Sequence, residues 1–214
     1  MENKHQVHNL IILDESGSMN SVKKATIQGF NETVQTIKGI EKKYPEQEHF
    51  ISLITFNGIA QKLLHFIDPA NKLKEMDERL YNPDASTPLF DAMGFGINKL
   101  KQVLENRKDY NVLVTILTDG EENASREYSG KAIKELIEEL KLKNWTFTYI
   151  GTDHDVEGFA KAISIENTLF YKKSDAGMRD MFDKERKARE KYSQKIRAKE
   201  DTSKDYFDPE EPKK

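Results

Sequence analysis

The run Val112-Leu113-Val114-Thr115-Ile116-Leu117 constrains the fold more than any other stretch. It offers no polar face to water, so it predicts a strand covered on both sides. Strands of that kind belong to parallel sheets, whose crossover connections place helices over both faces. Val7 to Leu13, Phe50 to Phe56 and Trp145 to Ile150 repeat the pattern, and Thr168 to Tyr171 gives a last short strand. Amphipathic stretches lie between them. Ile27, Phe30, Val34, Ile37 and Ile40 recur at three- and four-residue spacing and predict a helix from Ser21 to about Lys43. Helices are likewise expected from Pro88 to about Glu105, Gly130 to Lys143 and Val156 to Ile163, and a short one from Leu73 to Leu80.

One connection differs. Asn57-Gly58 is a type I′ hairpin signal, and Ile59 to Ile67 then returns as an antiparallel edge strand. The expected fold class is therefore α/β: a three-layer, doubly wound, mostly parallel six-stranded sheet with one antiparallel edge strand and helices on both faces. Gly94 and Gly96 inside a helix imply close packing against that sheet.

Charge and composition exclude several functions. With 34 Lys and Arg against 37 Asp and Glu, the net charge is −3, without the basic excess of a nucleic-acid platform. The absence of cysteine rules out a disulfide framework, a thiol nucleophile and zinc–thiolate ligation. Neither a signal peptide nor a membrane-spanning run is evident, so no membrane partner is expected and a cytoplasmic location is the default. Mean hydropathy is −0.77, and much of that polarity lies in the last forty or so residues.

The chemistry concentrates where strands end. Asp14-Glu15-Ser16-Gly17-Ser18 follows the apolar run Asn9 to Leu13, and Asp119-Gly120 follows Ile116-Leu117-Thr118. Open α/β sheets bind ligands at the carboxyl ends of their strands. Hard oxygen donors on tight loops suit Mg²⁺. The same residue types also cap helices, which is the plain alternative for this turn.

Ile12 to Met19, Ser86-Thr87-Pro88-Leu89-Phe90-Asp91-Ala92 and Ile116 to Gly120 occur in an order that resembles the von Willebrand factor type A domain, also called the integrin inserted domain. The resemblance spans residues 5–173. It implies strand order 3-2-1-4-5-6 and a metal-ion-dependent adhesion site. Ser16 and Ser18 would ligate the metal directly, Asp14 and Asp119 directly or through water, and Thr87 in either way. Mg²⁺ would be the cofactor, with Mn²⁺ or Ca²⁺ possible. The implied function is that of an intracellular adaptor capturing an Asp or Glu carboxylate of a partner protein. Some relatives work beside AAA-type ATPase assemblies.

Two other readings are open. A Mg²⁺-dependent phosphatase or phosphotransferase of the haloacid dehalogenase type also begins with an apolar strand and an aspartate. It needs a second carboxylate two residues later, and Ser16 stands there. The other is a structural scaffold with a vestigial site. Asp84, Asp91, Glu121 and Glu122 read as solvated loop charges, and Asp153-His154-Asp155 as a loop rather than a second metal site. Residues 174–200 read as a charged C-terminal helix with a weak apolar stripe, suited to movement. Residues 201–214 read as a disordered tail, whose Tyr206 to Glu211 could dock acid-first into the metal site of a neighbouring copy or bind a separate partner.

Overall fold

The computed structural model describes residues 4–207. Six strands form one sheet in the order β3-β2-β1-β4-β5-β6. They are β1 (His5–Asp14), β2 (Gln47–Phe56), β3 (Gln61–Pro69), β4 (Tyr110–Leu117), β5 (Trp145–Gly151) and β6 (Asn167–Phe170). Only the β2–β3 pair is antiparallel. The fold class and strand order are those expected.

Period-two alternation sends each strand's side chains to two cores. On one face Leu10, Ile12, Val112, Val114 and Ile116 pack with α2 (Leu89–Leu104), α3 (Gly130–Lys141) and α4 (Val156–Ala162). On the other, Ile11, Leu13, Ile51 and Leu53 pack with α1 (Lys23–Lys43) and α5 (Asp175–Ala198). β1 and β4 are neighbours, yet the chain leaves them toward opposite faces. The register that pairs Leu13 with Leu117 brings Asp14 level with Thr118 at this switch point.

Several local expectations are corrected. A 3₁₀ turn, Gly17–Val22, precedes α1. The Leu73–Leu80 stretch is not helical; a single 3₁₀ turn, Ala70–Lys72, comes before it. The β2–β3 turn is not type I′, because neither Asn57 nor Gly58 has positive φ. Instead the Asn57 side-chain oxygen accepts from the Ile59 and Ala60 amides, an Asx-type turn. Gly96 does pack on the sheet: a Cβ there would meet Ile54 Cδ1 at 2.4 Å, whereas Gly94 faces the Tyr128 ring at 2.5 Å.

The C-terminal part departs furthest from expectation. Arg189 on α5 is buried and donates to Glu185, Asn9 and Thr115. Gln47 reaches across to the Ser193 carbonyl. Residues 201–207 are not disordered: the Thr202 and Ser203 carbonyls accept from Thr146 and Asn167. Tyr206 is buried, with its hydroxyl donating to Glu185. Polar side chains on β1, β2, β4, β5 and β6 thus hold a segment whose own composition predicts little burial. The acids Asp208, Glu210 and Glu211 of the docking idea lie outside the described residues.

Candidate functional site

The carboxyl ends of β1 and β4 bring four of the five candidate residues together. The Ser16 and Ser18 hydroxyls are 3.0 Å apart, and Ser18 Oγ donates to Asp119 Oδ1 at 2.5 Å. Asp14 is buried beneath them. Its Oδ1 accepts from the Ser16 amide at 2.7 Å, and its Oδ2 from Thr118 Oγ1 at 2.6 Å. Both its oxygens are therefore engaged in shaping the loop. Burial pushes the Asp14 carboxyl up to about 6, against the lowering effect of these hydrogen bonds.

Thr87, the fifth residue, joins from α2's approach loop. Its hydroxyl lies 3.7 Å from where a Cβ on Gly120 would stand, which places Thr87 beside the residue after Asp119. The Asn123 side chain accepts from the Thr87 amide, and the Asn123 amide donates to the Thr87 carbonyl. Thr87 is not a side-chain helix cap; α2 begins at Leu89 with no such bond. The plain capping alternative is equally unsupported at Ser16, which makes no side-chain cap to the following 3₁₀ turn.

Backbone pairing fixes the loops. Gly17 N donates to the Ala85 carbonyl and Asp84 N to the Glu15 carbonyl, zipping the β1 loop to residues 84–85. Tyr81 OH donates to the Asp14 carbonyl. Glu15 is fully buried; its Oε1 meets Lys62 Nζ at 2.7 Å and accepts from the Asn82 amide. Sequence reasoning gave Glu15 and Thr118 no role, since their partners are far along the chain.

Asp91 and Glu122 correct the expectation of solvated loop charges. Asp91 accepts from the amides of Arg126, Glu127 and Tyr128. Glu122 accepts from the amides of Phe90, Ala124 and Ser125. Together they tie the start of α2 to the loop after β4, with Glu122 favourably placed at a helix N-terminus. The Asp153–Asp155 stretch is a loop, as expected: His154 bonds the Thr152 carbonyl and Tyr149 OH, and Asp155 caps α4 through Gly158 N.

The gathered donors are all oxygens: hydroxyls of Ser16, Ser18 and Thr87 and carboxylates of Asp14 and Asp119. Among the described residues no three His, Cys, Asp or Glu side chains cluster as a metal cage. The set is poor in charge and hard in character. Ser18 is exposed, so the cluster opens to solvent at the rim of the sheet. Asp119 Oδ2 is buried without a hydrogen bond of good geometry, and its charge is met by Lys173 Nζ at 2.8 Å. Ser16 occupies the place where a phosphotransfer acid would have to stand, and its hydroxyl is no general acid near neutral pH.

No curated protein sequence matches the chain. Similar solved structures include proximal thread matrix protein 1 from the mussel byssus, at 14% identity and TM-score 0.53, covering 84% of this chain and 45% of that one. The chain thus spans less than half of that protein. The SpRpn10 VWA domain has 14% identity and TM-score 0.53, with 81% and 92% covered. The vWF domain of the type V pili tip protein Mfa5 from Porphyromonas gingivalis has 11% identity and TM-score 0.56, with 92% and 96% covered. At such identities these likenesses bear on the fold alone. The von Willebrand factor type A domain matches directly in sequence over residues 10–184. The chain belongs to the von Willebrand factor type A domain family.

Proposed function

We propose that this domain is a divalent-cation-dependent protein-binding module. The observation that carries the reading is the meeting of Ser16, Ser18, Asp14 and Asp119 at one open rim, with Thr87 closing beside Gly120. Ser16, Ser18 and Thr87 would hold Mg²⁺ through hydroxyls, with Asp119 and Asp14 supplying the charge; Mn²⁺ or Ca²⁺ would suit the same donors less selectively. Bound there, the cation supplies an electrophilic position for a partner's Asp or Glu carboxylate. The family generally mediates protein–protein interactions, and its domains are generally non-enzymatic.

The chain's own residues do the rest. Asp14 uses both oxygens to hold the loop, so its charge would act on the ion from behind rather than by direct ligation, leaving a position open to an outside acid. Glu15, Tyr81 and the 84–85 backbone keep the rim in shape before any partner arrives. An adaptor role in the cytoplasm accords with the cysteine-free, near-neutral composition. An AAA-type ATPase assembly is one setting for such an adaptor.

Affinity capture with the intact domain, against Asp14→Ala, in Mg²⁺ and in EDTA, tests this. Binding partners lost under both controls are expected, and they should carry an exposed acidic residue whose amide variant no longer binds. Partners retained in EDTA and by Asp14→Ala alike would overturn the reading in favour of a metal-independent scaffold. Turnover of a generic phosphate ester that vanishes in Asp14→Asn would overturn it in favour of an enzyme.

A further inference from the structure

The fold places the basic side chain of Lys173 against the cluster. Its ammonium lies 2.8 Å from Asp119 Oδ2 and 3.8 Å from Asp153 Oδ2. Asp119 is fully buried as a side chain, Lys173 is 23% exposed and Asp153 is 57% exposed. The lysine therefore bridges a buried acid and a solvated one.

Its backbone is held on both sides. Tyr171 is buried, its amide donating to the Gly151 carbonyl and its hydroxyl to the Thr118 carbonyl at 3.5 Å. Ser174 caps α5 through Gly177 N, and its own amide donates to the Lys172 carbonyl. A Cβ on Gly177 would meet that Lys172 carbonyl oxygen at 2.0 Å, so only glycine lets the turn fold this close to the helix. Residues 171–174 form a fixed bridge, and the Lys173 side chain projects from it to Asp119.

We propose that Lys173 is a built-in counter-cation that competes with the divalent ion for Asp119 and so sets the domain's metal affinity. The inference rests on the metal centre proposed above. The buried carboxylate of Asp119 can neutralise an ammonium or contribute to a divalent ion. It cannot do both fully, because two cations on one buried carboxylate repel in a poorly solvated site. Metal entry therefore requires the lysine to leave Asp119, and Asp153 gives the displaced ammonium a solvent-facing acid to turn to. The domain is thereby tuned to load at higher cation concentration than its donor set alone would demand.

Calorimetric titration of the full chain with Mg²⁺ tests this with Lys173→Met, Lys173→Gln and Lys173→Arg beside the wild type. Both neutral variants should bind Mg²⁺ roughly tenfold more tightly, a factor worth about 1.4 kcal/mol, while Lys173→Arg, which keeps the charge, stays near the wild type. Thermal unfolding gives a second readout. In EDTA the neutral variants should melt below the wild type, because Asp119 loses its counter-charge, and Mg²⁺ should close the gap. Binding by the neutral variants alone would also support the proposal. Unchanged or weaker binding in both neutral variants, with the wild type binding normally, would overturn the competition and leave the metal centre standing. Absence of binding in every variant up to millimolar Mg²⁺ would overturn both.

Discussion

Glu15 and Asp14 are consecutive buried carboxylates, and the residue scale is where their difference matters. Glu15 balances its charge on Lys62, whose side chain is 37% exposed. Glu15→Ala frees a lysine that can rehydrate but strands the Asn82 amide. The expected cost is about 2 kcal/mol in urea unfolding, between the values for exposed and buried pairs, with Glu15→Gln milder. His49 offers a separate check. Burial, aided by the Arg189 guanidinium, lowers its pKa to about 3. The unfolded chain binds a proton there near pH 6.5 and the folded one does not. Stability from His49 is therefore complete above pH 6.5 and lost as pH falls toward 3, by about 1.4 kcal/mol per unit. The difference in unfolding free energy between wild type and His49→Gln should shrink by that slope between pH 6.5 and 5. The five candidate positions could be named from sequence because they fall in three motifs that resemble one family, two of those motifs at strand ends. Glu15, Thr118, Asp91, Glu122 and Lys173 were not, because each acts through a partner brought near only by the fold.

At the scale of elements, α5 shows the same limit. Its sparse apolar stripe predicts loose docking, yet Arg189, Glu185 and Tyr206 form a buried polar network with Asn9 and Thr115. Breaking one side of it strands a charge. Arg189→Ala should destabilise the fold by about 3–5 kcal/mol, whereas replacing Arg189 and Glu185 together by apolar residues should cost far less. Chemical denaturation of the single and double variants checks both. Tyr206→Ala should cost about 3 kcal/mol by loss of a buried ring, a result that a disordered tail would not give. The strands were readable from their apolar runs and α1 from its spacing. The β2–β3 turn was misread because Asn57 uses its side chain where the dipeptide rule assumes left-handed backbone. The 73–80 stretch was misread because its pattern was too short to separate a helix from a turn.

For the molecule as a whole, a ligand held only by the folded state must raise its melting temperature. Mg²⁺ at a hundredfold its dissociation constant should add about 2.7 kcal/mol, read as an upward shift in thermal unfolding that Asp119→Ala abolishes. A flat response would favour a scaffold. The sheet also separates the two ends of the domain. The candidate rim lies at the carboxyl ends of β1 and β4, while Thr202 and Tyr206 cross the amino ends of β4, β5 and β6 through Asn111, Thr146 and Asn167. Those bonds pin residues 202–206 at the opposite end of the sheet from the rim. Docking of residues 202–206 therefore costs the open cluster none of its access, and a visiting carboxylate meets a doorway that this segment does not cross.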